Sequence, residues 1–513
     1  MPRFFNASSL PSAWVVVMVW VLAYGLLKAF SLNGLDIDSA EQVYFAQSWQ
    51  MGYGTRQPPL YTWLILAFKP ASLSWVATLE VARYACLLLW LGGVQALAAA
   101  MGANRSVQAR VLLAHLGLLL AMWRVHDSLT HTVLAGAVTV WGSAAVIKAL
   151  SNPRYWMAAG VLAGLACLSK LNAALWCVSS FAAALVLIVA RARDKAEPAV
   201  APISEHVCWL VAAVFAFLLV LSPYADWWLT HSHGSLALAK RIVVSEENLP
   251  VWQPIAEVIL GALEYLLVTP LIMGFVAWRL RAHSAPGSWS MGVRWVSWQL
   301  GLGLLMLALV LTMMKASHFT PRWLWPVVPA ASVWLSVLGF QAVDGADEAR
   351  WHRLSQALVW GLPVLALCLV AARVWEPRFN AQRCRSCWTD RPAAQLSAEL
   401  HRRHGQQPLR LITGDDHLAG ILAQVSPKDR AATAVSPDLP PPADFAHTKA
   451  PCVAVWLDMD KAASPPSLLA DLIDLGGAQA VQSSSMPLRL APQRRFWLQS
   501  RELSADVCDK AVL

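Results

Sequence analysis

Apolar residues in this chain come in blocks of about twenty, separated by short polar or basic connections. Wound as a helix, a block of that length matches a hydrocarbon core of roughly 30 Å. The runs fall at about 12–30, 75–101, 107–123, 130–149, 155–169, 172–190, 207–223, 255–278, 296–314, 323–340 and 355–373, which predicts about eleven spans. A β-barrel would show short alternating segments instead. The apolar stretch 59–69 is too short to span and predicts a helix that lies at the interface or dips into the protein. The run from Trp14 to Phe30 is too long for the apolar part of a signal peptide and lacks a small-residue cleavage site, so it predicts a retained first helix.

The connections give the orientation. With a cytoplasmic amino terminus, the cytoplasmic loops carry Arg105 and Arg110; Lys148 and Arg154; Arg191, Arg193 and Lys195; Arg279, Arg281 and Arg294; and Arg350 and Arg353. This is the excess of Lys and Arg expected inside. An odd number of spans then places everything after about 374 outside. The sequence divides accordingly into a membrane part, 1–375, and a polar tail, 376–513, with strand-like runs (Leu409–Ile412, Val453–Trp456, Phe496–Leu498) and helix-like runs (His417–Val425, Ser467–Leu475). The expected class is an all-α polytopic membrane protein with a small external α/β domain. Cys384, Cys387, Cys452 and Cys508 all fall in the tail, where an oxidising compartment permits disulfides. A zinc site on Cys384-x-x-Cys387 is the rarer alternative.

Composition agrees with this picture. Of 513 residues, 57% are hydrophobic and 14% charged, whereas about a quarter are charged in an average soluble protein. The net charge of +9 is dispersed between apolar blocks, which fits cytoplasmic loops and not a nucleic-acid surface.

Most of the unusual polar residues fall on the non-cytoplasmic side. Ionisable groups at membrane depth are costly and face a cavity or a partner. Asp38, Glu41 and Gln42 share one face of a helix that starts near Asp36, by i, i+3 and i+4 spacing. Asp38 there is suited to act as a general base on an acceptor hydroxyl, or to cap the helix; Asp36 and Glu41 share the catalytic assignment at lower rank. Arg56 and Gln57 precede Pro58-Pro59, a stiff extended pair that would hold their donors toward a phosphate or sugar, with Tyr61 just beyond. Lys170 at a helix end is placed either to pair with a phosphate or to snorkel to the interface. His318 and Arg322, four apart, are placed to clamp a phosphate leaving group. His126 and His131, with Asp127 between them, allow a divalent metal, although contacts to sugar or acceptor are the commoner use of such a set; no metal requirement follows.

The run Asp38-x-Ala40-Glu41, a Gly-Tyr-Gly turn at 52–54 and Gln57-Pro58-Pro59-Leu60-Tyr61-Thr62-Trp63-Leu64 resembles the first external loop of the bacterial family 39/83 glycosyltransferases. That group is related to protein O-mannosyltransferases and the lipid A aminoarabinose transferase. Ser169-Lys170 and Arg322-Trp-Leu-x-Pro326 are similar to its later motifs. The likeness covers about 1–375. It implies a GT-C fold in the bacterial inner membrane, an active site on the periplasmic face, a polyprenyl-phosphate sugar donor and an inverting mechanism with Asp38 as the catalytic residue. The acceptor would be lipid A, lipopolysaccharide, another envelope glycan or a protein. Asp38-Ser39 stands where many members have Asp-Glu, and Gln57 where some have Lys, which leaves Arg56, Lys170 and Arg322 as the cations for the phosphate.

Two other functions fit a chain of this kind. A transporter or flippase of lipid-linked saccharides would place its polar residues near the midplane, within internal repeats. Here they gather at one face and no repeat is evident. A scaffold whose tail binds a partner would account for the tail but not for the clustered Asp, Lys and Arg.

Overall fold

The computed structural model describes residues 9–31, 34–54, 57–70, 72–118, 125, 129–193, 201–231, 252–280, 291–314, 321–346, 348–379, 391–434, 439, 441–446, 448–458, 465–475, 480–488 and 492–510. Arg56, His126, Asp127, His318, Cys384 and Cys387 lie outside them.

The first helix, α1 (Leu10–Ser31), is followed by two short ones, α2 (Ile37–Phe45) and α3 (Leu60–Phe68). At nine residues each, neither can cross a bilayer. The helices α4 (Trp75–Ala100), α5 (Arg105–His115), α6 (Thr130–Ala149), α7 (Tyr155–Ser169) and α8 (Ala173–Arg193) follow. Next come α9 (Ile203–His231), α10 (Trp252–Leu266), α11 (Thr269–Arg279), α12 (Met291–Met313), α13 (Pro329–Gly345) and α14 (Ala349–Phe379). Side-chain caps start several of them: Ser74 accepts from Ala77 N on α4, and Asn104 from Val107 N on α5.

Seven described helices (α1, α4, α6, α8, α9, α12 and α14) are long and apolar enough to span, or eight if α10 and α11, bent by 85°, count as one. About eleven were expected. Among the described residues, the runs expected at 107–123, 155–169 and 323–340 contain α5, α7 and α13, of 11, 15 and 17 residues. All are short for a span, and α5 is buried throughout its last nine residues, from Val107 to His115. The true lipid faces are plain: Val15, Val19, Leu22 and Leu26 on α1, and Val207, Val211, Val214 and Leu218 on α9, are exposed at helical spacing. The chain is a multi-pass membrane protein.

Among the described residues the tail forms a five-stranded mixed sheet of order β2-β1-β3-β5-β4. The strands are β1 (Arg410–Thr413), β2 (Arg430–Thr433), β3 (Cys452–Asp458), β4 (Gln482–Pro487) and β5 (Arg495–Leu503). β1 runs parallel to β2 and β3, in register Arg410 to Arg430 and Arg410 to Cys452, while β5 is antiparallel to β3 and β4. The helices are α15 (Ala393–His404), α16 (Asp416–Ala423), α17 (Ser467–Leu475) and α18 (Ala505–Lys510). A disulfide, Cys452–Cys508, ties α18 to β3. The expected strands at 409–412, 453–456 and 496–498 match β1, β3 and β5; β2 and β4 were not foreseen.

One apolar core runs from the membrane helices through Ala40 and Val43 of α2 into Leu418, Ala419 and Ile421 of α16 and Leu411 of β1. A second cluster, around Phe445, Trp456 and Leu469, fills the other face of the sheet. The tail is therefore packed onto the membrane part through α2.

Candidate active site

The sequence from Asp36 folds as a helix because Asp36 caps it. Its Oδ1 accepts from Ser39 N at 2.9 Å, and its Oδ2 accepts from Ser39 Oγ at 2.9 Å. Asp36 also receives the Arg83 guanidinium at 2.7 Å. Arg83 binds Glu80 at 2.7 Å, and Lys28 reaches the same Glu80 oxygen at 3.1 Å. Burial pushes the Asp36 carboxyl up, but Arg83 and Lys28 outweigh it and hold it below the ordinary range. This cluster of two cations and two carboxylates bolts the start of α2 to α1 and α4. It binds Asp36 fully in structural contacts.

Asp38 is set apart from that cluster. It sits in the first turn of α2, with its Oδ2 accepting from Leu129 N at 2.7 Å. Among the described residues its other oxygen takes no hydrogen bond. Leu129 stands just before α6 at φ 81°, ψ 64°, a left-handed conformation that is costly for a branched side chain. Such strain persists where surrounding contacts enforce it, and here it aims the Leu129 N–H at the Asp38 carboxylate.

The first turn of α6 collects the rest. His131 Nε2 accepts from the Gln42 side-chain amide at 2.7 Å, and Thr62 of α3 donates to Gln42 Oε1 at 2.9 Å. Thr132 accepts from Lys170 Nζ at 2.5 Å. Glu41 accepts from Gln57 Nε2 at 3.2 Å. Asp38, Glu41 and Gln42 thus point from one face of α2, as their spacing predicts. Asn172 donates to Trp323 O at 2.8 Å, so the α7–α8 connection that holds Lys170 is tied to the short turn Pro321–Leu324 that carries Arg322. Burial pushes the Lys170 ammonium down to about 8, assisted by the positive charge of Arg322 and opposed by Asp38 and Glu41. Arg322 itself is exposed.

Two apolar grooves flank this polar centre. One, of about 440 Å³, lies along α3 and α4 and is walled by Tyr61, Ile65, Phe68 and Leu89. The Tyr61 hydroxyl is buried and, among the described residues, has no hydrogen-bond partner. The other, of about 570 Å³, lies between α8 and α12, beside Leu171, Asn172 and Trp323.

The structure therefore gathers Asp38, Glu41, Gln57, His131, Lys170 and Arg322 around the α2 face and the start of α6. It places Tyr61 in a groove wall and Asp36 in the ion cluster. The expected positions Arg56, His126 and His318 fall outside the described residues. No group of three His, Cys, Asp or Glu side chains placed to hold a metal occurs among the described residues. Sequence reasoning missed Glu80 and Arg83. An acidic and a basic residue three apart inside an apolar run were the signal. It also missed Thr62 and Thr132, whose hydroxyls carry no sequence signal of their own.

No family model matches the chain. Two curated relatives from Rhizobium johnstonii (strain DSM 114642 / LMG 32736 / 3841) are similar to it over most of their length. The lipopolysaccharide core galacturonosyltransferase RgtA is 23% identical over 475 residues, covering 87% of each chain. The lipopolysaccharide core galacturonosyltransferase RgtB is 26% identical over 463 residues, again covering 87% of each. Among solved structures, ArnT from Cupriavidus metallidurans bound to undecaprenyl phosphate superposes with a TM-score of 0.54 at 14% identity, over 95% of this chain and 98% of that one. Its apo state gives 0.54 at 15% identity, over 97% and 99%. The chain has the ArnT fold, with the GT-C architecture that the first loop predicts. At this coverage the likeness takes in the tail as well as the membrane part.

Proposed function

We propose that the chain is a membrane glycosyltransferase that moves a sugar from a polyprenyl-phosphate donor to a lipopolysaccharide or related envelope glycan, with inversion at the anomeric carbon. The observation that carries this reading is the convergence of an open carboxylate, Asp38, with Lys170 and Arg322 around the start of α6. Asp38 takes the proton of the acceptor hydroxyl. The hydroxyl oxygen attacks the anomeric carbon, and the bond from that carbon to the phosphate oxygen breaks, its electron pair leaving with the lipid phosphate. Lys170 and Arg322 meet the charge that develops on that phosphate. Leu129 N–H holds Asp38 in place through a hydrogen bond to one carboxylate oxygen. Gln42 and His131 brace α2 against α6, and Glu41 and Gln57 form a polar wall for the sugar.

The groove beside Lys170 and Arg322 is suited to the polyprenyl tail, and the Tyr61 groove to the acyl chains of a lipid-anchored acceptor. The disulfide in the tail fits an oxidising compartment. This reading therefore places the site and tail on the periplasmic side of the inner membrane. A transporter is disfavoured, because the polar groups gather at one end of the bundle.

The test is direct. Purified protein is supplied with radiolabelled undecaprenyl-phosphate sugars and lipopolysaccharide acceptors. Galacturonic acid, the sugar in the names of both relatives, is tried first. Release of lipid phosphate with label entering the acceptor supports transfer. Donor left intact across a broad panel removes the proposal.

A further inference from the structure

The nine-residue helix that carries Asp38 cannot hold itself; helices this short are marginal in water. Contacts from the membrane part hold its first turn and one face, as described above. Its remaining face and the segment after it are held by the tail. Gly420 of α16 lies so close to α2 that a Cβ there would stand 1.9 Å from the carbonyl oxygen of Ala40, two residues from Asp38. No side chain fits that approach. Just beyond α2, the Gln47 amide makes a two-way pair with the edge strand β2, donating to Ala431 O at 2.9 Å and accepting from Ala431 N at 2.8 Å. Gln50 donates to Pro441 O at 3.1 Å, and Ser48 Oγ accepts from Ala443 N at 3.2 Å. Before α2, the His417 ring bonds Leu35 O at 3.2 Å. These contacts grip α2 at both ends and along one side, and the apolar core is continuous across the junction.

We propose that the C-terminal domain is a clamp for the catalytic helix, and that Gly420 and Gln47 are positioning residues that act through α2 to fix the Asp38 carboxylate against the start of α6. The inference rests on Asp38 as the base. The phosphate-binding side of the site, Lys170 and Arg322, belongs to other elements, so loosening the clamp moves the base and leaves donor binding in place. A displacement near 1 Å in such a constellation lowers turnover by roughly a hundredfold.

The experiment compares Gly420→Ala and Gln47→Ala with Arg403→Ala in the full-length protein. Arg403 ties α15 to β4 and β5 and does not touch α2, so its loss weakens the domain without loosening the clamp. Hydrogen exchange of the α2 amides, kcat, and KM for the donor are measured for each. The expected result for Gly420→Ala and Gln47→Ala is faster exchange in α2 and a kcat lowered roughly tenfold to a hundredfold, with donor KM within about twofold of wild type. Arg403→Ala should leave α2 exchange and kcat unchanged. Where Gly420→Ala does not fold, Gln47→Ala decides, since it removes hydrogen bonds and adds no clash. Unchanged α2 exchange, faster exchange with full kcat, or an equal loss of kcat in Arg403→Ala overturns the clamp. Asp38→Asn, run beside them, separates the two readings: if it retains turnover the base assignment fails, whereas if it is inactive while the loosened variants keep full kcat, the clamp alone fails.

Discussion

Lys170 gives the site a pH dependence that can be worked out in advance. Its ammonium is pushed down to about 8 by burial and by Arg322, against an ordinary value near 10.4. On the proposed mechanism the cation is the form that meets the lipid phosphate. The proposed donor, a polyprenyl-phosphate sugar, is a phosphodiester and does not titrate above neutrality. At pH 7 about nine in ten Lys170 side chains carry the charge, and at pH 9 about one in ten. The value of kcat/KM for the donor, which reports the free enzyme, should therefore fall about tenfold between pH 7 and pH 9, equivalent to about 1.4 kcal/mol. An unperturbed lysine would give almost no change over that range. Lys170→Arg keeps its charge throughout, so its profile should be flat between pH 7 and pH 9 whatever its absolute rate. Arg322→Gln removes a like charge, so its basic limb should move to higher pH. The assay is release of lipid phosphate at low donor concentration in buffers of constant ionic strength. A flat wild-type profile, or the same fall in Lys170→Arg, would refute the assignment of Lys170 to the phosphate.

Two further predictions follow from the scaffold. Arg83→Met leaves Asp36 buried without its guanidinium and Glu80 with Lys28 alone; it should lower stability by about 3–5 kcal/mol, read as a drop in unfolding midpoint in detergent, and a loss under about 1 kcal/mol would contradict the buried pairing. Sidedness is tested with cysteines at the exposed positions Met51, Leu475 and Ser151, in a background lacking the exposed Cys208 and Cys368 and also Cys384 and Cys387 of the tail. An impermeant thiol reagent applied to intact cells should label the first two and not the third, and labelling of Ser151→Cys instead would invert the topology.

Much of this architecture was legible because membrane helices and turn chemistry leave strong local signals. The diproline after Gln57 and the short apolar run behind it read directly as a helix too short to span, and Asp38, Glu41 and Gln42 emerge on the face that i, i+3 and i+4 spacing gives them. The two aspartates illustrate the limit. Both had the residue type for a cap and for a base, and what separates them is a contact with Arg83, 47 positions from Asp36. Arg83 and Glu80 were hidden in an apolar run because hydropathy averages over a window and ion pairs do not. Seven or eight spans stand among the described residues against the eleven expected, and α5, buried along most of its length, carries Gln108, Arg110 and His115 into the interior. The docking of the tail on α2 depends on a glycine, a glutamine and a strand edge far apart in the chain. None of them is distinctive alone.

The central claim is that Asp38 is the base and Asp36 the brace. The measurement that tests it most directly is the turnover of purified Asp38→Asn beside wild type and Asp36→Asn, with undecaprenyl-phosphate sugar donors and lipopolysaccharide acceptor, each variant checked for its unfolding midpoint. The account predicts that Asp38→Asn keeps wild-type stability and loses transfer. It predicts the converse for Asp36→Asn, which should lose stability and keep measurable turnover in the fraction that folds. Full turnover by a folded Asp38→Asn protein would contradict it and return the search for the base to Asp36 and Glu41.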